Sequence, residues 1–181
     1  MTNATMKVIQ WSLAVVGVVA LAVVGTGFFL PSAFEVKRSI DVRAPAPKVY
    51  DLVADPRLWA KWSAWNEREP GMDVAFSGPP FGQGARWSWK SKSEGNGSME
   101  FTRVEPNRRI EYALTFADFG MKSGGEFIFE PRESATRVTW TNRGDVGSNP
   151  LKHYLAWMMD GLVGPDFEKG LANLKSLAEK P

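Results

Sequence analysis

The chain opens on an unbroken apolar run. From Val8 to Leu30, VIQWSLAVVGVVALAVVGTGFFL contains no charged residue. Roughly 20 apolar residues rising 1.5 Å each cross a bilayer core. The run therefore predicts a membrane-spanning helix over about 8–30, with Trp11 at one interface and Phe28 and Phe29 at the other. It has no polar face, which argues against a buried helix of a soluble domain. The rival is a cleaved leader, but such leaders have apolar cores of about 7–15 residues and a small-x-small cleavage site. Here Pro31 stands three residues before the only plausible cut, after Ala33. Residues 1–31 read better as a retained anchor. Lys7 lies on one side, and Lys37, Arg38, Arg43 and Lys48 on the other. Their number favours a cytoplasmic C-terminal domain, while a short lysine-bearing tail also suits an N-in anchor.

The rhythm then becomes one of two. In FEVKRSIDV, Phe34, Val36, Ile40 and Val42 share one face, with Arg38 as its odd member, which predicts a half-buried strand. A short helix follows over about Pro47–Ala54, with prolines suiting its first turn. Asp55 reads as the N-cap of a second, running through Trp59, Trp62 and Trp65. After Pro70-Gly71, six short alternating segments are separated by turn signals such as GPPFGQG, SEGNG and EPRES, predicting six strands in an antiparallel sheet. Helical spacing returns at the end. Leu151, Tyr154, Leu155, Met158 and Leu162 form one stripe; Phe167, Leu171, Leu174 and Leu177 or Ala178 form another. Gly164-Pro165 between them either kinks one helix or separates two.

The order β-α-α-β6-α predicts an α+β domain whose twisted seven-stranded sheet wraps around the last helix. Strand parity places Trp87, Trp89, Met99, Phe101, Tyr112 and Leu114 on the helix-facing side, joined by Phe116, Phe127, Phe129, Val138 and Trp140. Any one of these is ordinary core on its own. Together they exceed what one helix stripe covers, which predicts an apolar cavity between sheet and helix. Tyr154 and Met158 are expected on the helix side of it. Arg38, Arg103 and Asn142 share the inward parity and are the candidate polar cavity groups.

Composition narrows the chemistry. With 22 basic and 20 acidic residues the charge is balanced, which disfavours a nucleic-acid partner. In RWSWKSK, bases and aromatics fall on opposite strand faces and cannot act together on one nucleic-acid strand. No cysteine and a single histidine, His153, remove thiolate and multi-histidine metal sites, so neither metal nor cofactor is expected. His153 stands alone near the start of the last helix and reads as a satisfied or solvent-exposed side chain rather than a catalytic one. No nucleophile beside a base is apparent. The GQG at Gly82–Gly84 lacks the lysine of a phosphate loop.

IDVRAPAPKVYDLVADPRLWAKWSAW (Ile40–Trp65), GQGARWSWKSKSEGNGSMEF and DFEKGLANLKSLAE (Asp166–Glu179) resemble the START-like, or SRPBCC, superfamily of polyketide cyclase/dehydrase-like and lipid-transfer proteins. The resemblance spans residues 34–179. It implies a helix-grip fold and a cavity for a lipid or other hydrophobic small molecule, with cyclase/dehydrase-type catalysis or a non-catalytic interaction scaffold as alternatives. The single-pass anchor lies outside the resemblance; likeness to bacterial members implies that the membrane it enters is a bacterial inner membrane. The family's paired tryptophans correspond to Trp62 and Trp65, expected at the cavity wall or rim. Trp59, outside the pair, is expected to be more exposed.

Overall fold

The computed structural model describes residues 3–180; the first two residues of the expected anchor lie outside them. Helix α1 spans Asn3–Gly27. Strand β1 (Ala33–Val42), helix α2 (Ala46–Ala54), a 3₁₀ turn (Pro56–Lys61) and helix α3 (Ala64–Arg68) follow. Strands β2 (Asp73–Ser77), β3 (Arg86–Lys90), β4 (Gly97–Glu105), β5 (Arg109–Phe116), β6 (Met121–Pro131) and β7 (Thr136–Asp145) precede the long helix α4 (Pro150–Ala178). The architecture is the expected α+β one, with the helix-grip arrangement of a curved sheet around a long C-terminal helix. The seven strands run in the order β1-β7-β6-β5-β4-β3-β2, each antiparallel to its neighbours.

Three local features depart from the sequence reading. The first helix ends at Gly27, not Leu30, and Phe28 to Leu30 continue as backbone turns onto Gly25, Thr26 and Gly27. The helix expected through the tryptophans is a 3₁₀ turn and a short α-helix broken at Trp62-Ser63, so a single α-helical wheel does not describe the three rings. Its start is as read: the Asp55 carboxylate accepts the Arg57 N–H at 2.9 Å, ahead of Pro56 in the first turn. The third is a bulge in β4. Phe101 pairs with Tyr112 but Arg103 pairs with Glu111, leaving Thr102 as the extra residue. The bulge reverses the parity beyond it. Arg103 therefore points outward to Glu105 (2.8 Å) and Glu111 (3.7 Å), not into a cavity.

Helix α4 is continuous through Gly164-Pro165. The missing N–H of Pro165 deprives only the carbonyl of Gly161, an exposed position. Its second half buries Phe167, Leu171, Leu174 and Ala178 against the sheet, as their spacing predicts. Each large side chain so buried contributes about 1.5–3 kcal/mol. Its first half does the opposite of what its spacing predicts. His153, Ala156 and Met159 face inward, and the apolar stripe of Leu151, Leu155, Met158 and Leu162 is exposed.

Candidate functional site

The core is built from rings. Phe101, Phe127, Phe129 and Trp140 are fully buried on the sheet's inner face, and Phe167 of α4 lies flat on Trp140 with centroids 3.8 Å apart. Trp59 sits inside this group, 4.6 Å from Trp62 and 5.0 Å from Trp87. Each indole N–H in the tryptophan-rich turn has its own acceptor: Trp59 the Val53 carbonyl (2.9 Å), Trp62 the Leu52 carbonyl (3.1 Å) and Trp65 the Asp166 carboxylate (3.0 Å). Buried indoles need such partners, and here they fix where each ring lies.

Next to this closed core is an open space of about 740 Å³, bounded by the inner face of β2 to β7, the tryptophan turn and the middle of α4. Trp87, Trp89, Met99, Leu114 and Phe116 form its sheet wall; Met121 and Trp140 extend it. Trp59, Trp65, Met159, Leu162, Val163 and Phe167 close it from the helical side. Both volume and lining fit small-molecule sites, which run at about 300–1,000 Å³ with mostly apolar walls.

The wall holds one polar patch. The Tyr112 hydroxyl donates to the Thr141 carbonyl (2.9 Å) and accepts from the Trp140 indole (3.0 Å) and the Asn142 amide (3.3 Å). Asn142 also donates to the Ser123 hydroxyl at 3.3 Å. Gly125 makes room for this network, since a Cβ there would lie 2.6 Å from the Tyr112 oxygen. Burial pushes the Tyr112 pKa up, so its hydroxyl remains protonated. Across the cavity, the buried Ser63 hydroxyl has no hydrogen-bond partner among the described residues.

Charges gather at the rim. Arg68 pairs with Asp166 and, at 2.9 Å, with Glu94. Glu69 accepts from the hydroxyls of Ser91 (2.6 Å) and Ser93 (2.9 Å), which hold its carboxyl down at about 2 and pin the β3–β4 loop. The titratable lining among the described residues is Arg57, Arg68, Glu94, Tyr112 and Asp166, and each is engaged by another protein group.

The family profile described as "Polyketide cyclase / dehydrase and lipid transport" matches residues 33–179. The chain belongs to this family. The uncharacterized protein Rv2574 of Mycobacterium tuberculosis is 25% identical over 123 residues, 65% of this chain and 70% of that protein. Solved structures share the fold at lower identity. Protein MLL2253 from Mesorhizobium loti has a TM-score of 0.58 at 18% identity, over 79% of this chain and 95% of that one. CalU16 from Micromonospora echinospora has 0.56 at 17%, over 80% and 76%. TTHA0849 from Thermus thermophilus has 0.59 at 18%, over 80% and 96%.

Within this family fold, the residues expected at the cavity separate into three groups. Trp65, Trp87, Trp89, Met99, Tyr112, Leu114, Phe116, Trp140 and Asn142 are brought together around it. Trp62, Phe101, Phe127 and Phe129 are not at the wall; they belong to the sealed core, where Trp59 packs on the first three and Phe129 lies against Tyr50 and Phe127. Tyr154 and Met158 lie on the opposite side of α4, where Tyr154 bonds to α1 and Met158 is exposed. Arg38 is also outside the cavity, bridging β1 to α4 through Asp160 (2.7 Å) and Glu168 (2.6 Å). Trp59, expected to be more exposed than the pair, is more exposed than Trp62 (4% against 1%) but less so than the half-buried Trp65; it is buried and lines the cavity. Met159 and Val163 are wall residues that the stripe containing Met158 concealed, and Phe167, read only as a member of the second stripe, is a third. Steps of three and four back along the helix from Leu174 and Leu171 reach all of them.

His153 is buried and satisfied, with Nδ1 2.8 Å from the Gly27 carbonyl and Nε2 2.9 Å from the Gly147 carbonyl. It ties α1 to the loop before α4 and does not approach the cavity.

Proposed function

We propose that this protein binds a lipid or other hydrophobic small molecule in the cavity, while α1 tethers it to a membrane. The observation that carries this reading is an apolar space of about 740 Å³ beside an already complete core. The family description, which includes lipid transport, supports it. Asn142, Ser123 and the unpartnered Ser63 hydroxyl suit a ligand with an apolar body and one or two hydroxyl or carbonyl oxygens. Helix α1 supports the tether: Ile9–Gly27 is 19 residues long with mean hydropathy 2.0, and it is exposed from Ile9 to Thr26. A tether near the cavity raises the local concentration of membrane-derived ligand.

Binding is favoured over catalysis because the cavity's titratable groups are committed to structural partners. A cyclase or dehydrase step needs a group free to move a proton.

Native mass spectrometry of the full chain released from detergent tests the proposal. Wild-type protein is expected to carry a co-purified apolar molecule, or to take up added oleate, at one per chain. Leu114→Trp, which fills the cavity from β5, is expected to lose it while retaining its circular dichroism spectrum. Equal uptake by both proteins, or by neither, would overturn the reading.

A further inference from the structure

Helix α4 carries a second apolar surface, which faces away from the cavity except at Leu162 on its edge. Leu151, Leu155, Trp157, Met158 and Leu162 are each between 40% and 65% exposed. At 100° per residue, Leu151, Leu155, Met158 and Leu162 fall within about 60° of one another and extend over about 16 Å. No charged residue interrupts this arc. An exposed stripe of this size on a soluble face calls for a cover.

What covers it follows from its attachment to α1. Tyr154 donates to the Val23 carbonyl at 2.8 Å and contacts the Thr26 hydroxyl. Beside it, His153 holds the Gly27 carbonyl. Gly27 itself lies directly on Pro150, where a Cβ would come within 2.9 Å of the carbonyl carbon. The C-terminal end of α1 is thus fixed by side-chain bonds from Tyr154 and His153 to the first turns of α4. Phe28 and Phe29, exposed just beyond α1, border the same junction. A bilayer that surrounds α1 to its last turn must also reach α4.

We infer that the first half of α4 lies in the membrane interface as an amphipathic helix, its Leu151–Leu162 stripe immersed beside the anchor. This rests on the reading of α1 as a bilayer span. It adds an orientation for the domain that the anchor alone does not give, because a free linker would leave the domain free to tumble. Interfacial helices have this form, with an uncharged apolar face parallel to the membrane plane. Leu162 belongs both to this stripe and to the cavity wall, so the seated helix brings the cavity rim to the lipid.

The sequence has no cysteine, so Val15→Cys, Leu155→Cys, Met158→Cys and Ala172→Cys each give the full chain one site for a nitroxide label. In vesicles of phosphatidylcholine and phosphatidylglycerol, oxygen and a water-soluble nickel chelate report the depth of each label. Labels at 155 and 158 are expected to meet oxygen several-fold more than nickel, at a shallower depth than the label at 15. The label at 172, on the polar outside of the second half, is expected to show the reverse. If 15 is in the bilayer while 155 and 158 match 172, the inference fails and the anchor stands. If 15 is itself open to nickel, the anchor reading fails as well. Spin–spin broadening at 158, with neither reagent reaching it, would mean that a second copy covers the stripe, and would also overturn the inference.

Discussion

Leu171 and Leu174, in the second half of α4, are buried against the sheet, whereas Leu151, Leu155 and Leu162, in the first half, are exposed. Both sets follow helical spacing equally well. They differ in what the rest of the chain offers them. The second half lies across the inner faces of β1 and β7 and the tryptophan turn, where Trp140 and Trp62 meet Gly170 and Phe167. The first half gives its small and medium residues, Ala156 and Met159, to the inside and joins α1 along its flank. An apolar stripe on a helix marks an apolar environment; whether that environment is the protein's own core is decided elsewhere in the fold.

The largest effect expected from this contrast is on stability. Leu174→Ala should lower the unfolding free energy by about 2–5 kcal/mol in urea titrations of the detergent-solubilised chain. Leu155→Ala should change it by less than about 0.5 kcal/mol, as exposed positions do. Equal losses would erase the distinction between the halves. A smaller effect is expected where the first half meets α1. Tyr154→Phe removes a hydrogen bond to the Val23 carbonyl and should cost about 1 kcal/mol. Hydrogen exchange should show this as lost protection at the end of α1, with the second half of α4 unchanged.

The smallest effect lies at the seam between the halves, where Arg38 joins Asp160 and Glu168. The hydrogen bond from Arg38 holds the Asp160 carboxyl below the ordinary aspartate range. Because the folded value is the lower one, the pair's contribution is complete above the unfolded value of about 3.9 and is lost as pH falls through the folded one. Exchange at the amides around residue 160 should therefore speed up below about pH 4, while Asp160→Asn should remove that pH dependence. Both partners reach solvent, so the change in overall stability should be slight.

Most of the fold is legible in the sequence because strand alternation and turn residues are local signals: seven strands and the hairpin pairing of β2 to β7 follow from them, whereas the place of β1 beside β7 is a long-range pairing that they do not encode. The cavity's sheet wall is legible for the same reason: Trp87, Trp89, Tyr112 and Leu114 keep their parity along their strands, and Met99 precedes the bulge in its own. Arg103 is misplaced by the bulge at Thr102, which no residue type announces. The tryptophans mislead because a 3₁₀ turn and a break at Trp62-Ser63 replace the helix, which turns Trp59 into the core. Met158 is misplaced because the more hydrophobic of two faces is not the buried one. The polar patch around Tyr112 depends on a long-range meeting of β5 with β7, and no spacing within either strand encodes it.

The central claim is that an apolar molecule resides inside the cavity and not merely in the membrane around the anchor. Photolabelling of the full chain in vesicles with a diazirine-bearing fatty acid, followed by peptide mapping, tests it most directly. The expected result is labelling of the segments around Met99, Leu114 and Met121, strongly reduced in Leu114→Trp, with labelling of α1 the same in both. Labels confined to α1 and the outer stripe of α4, with the cavity segments untouched, would contradict the account.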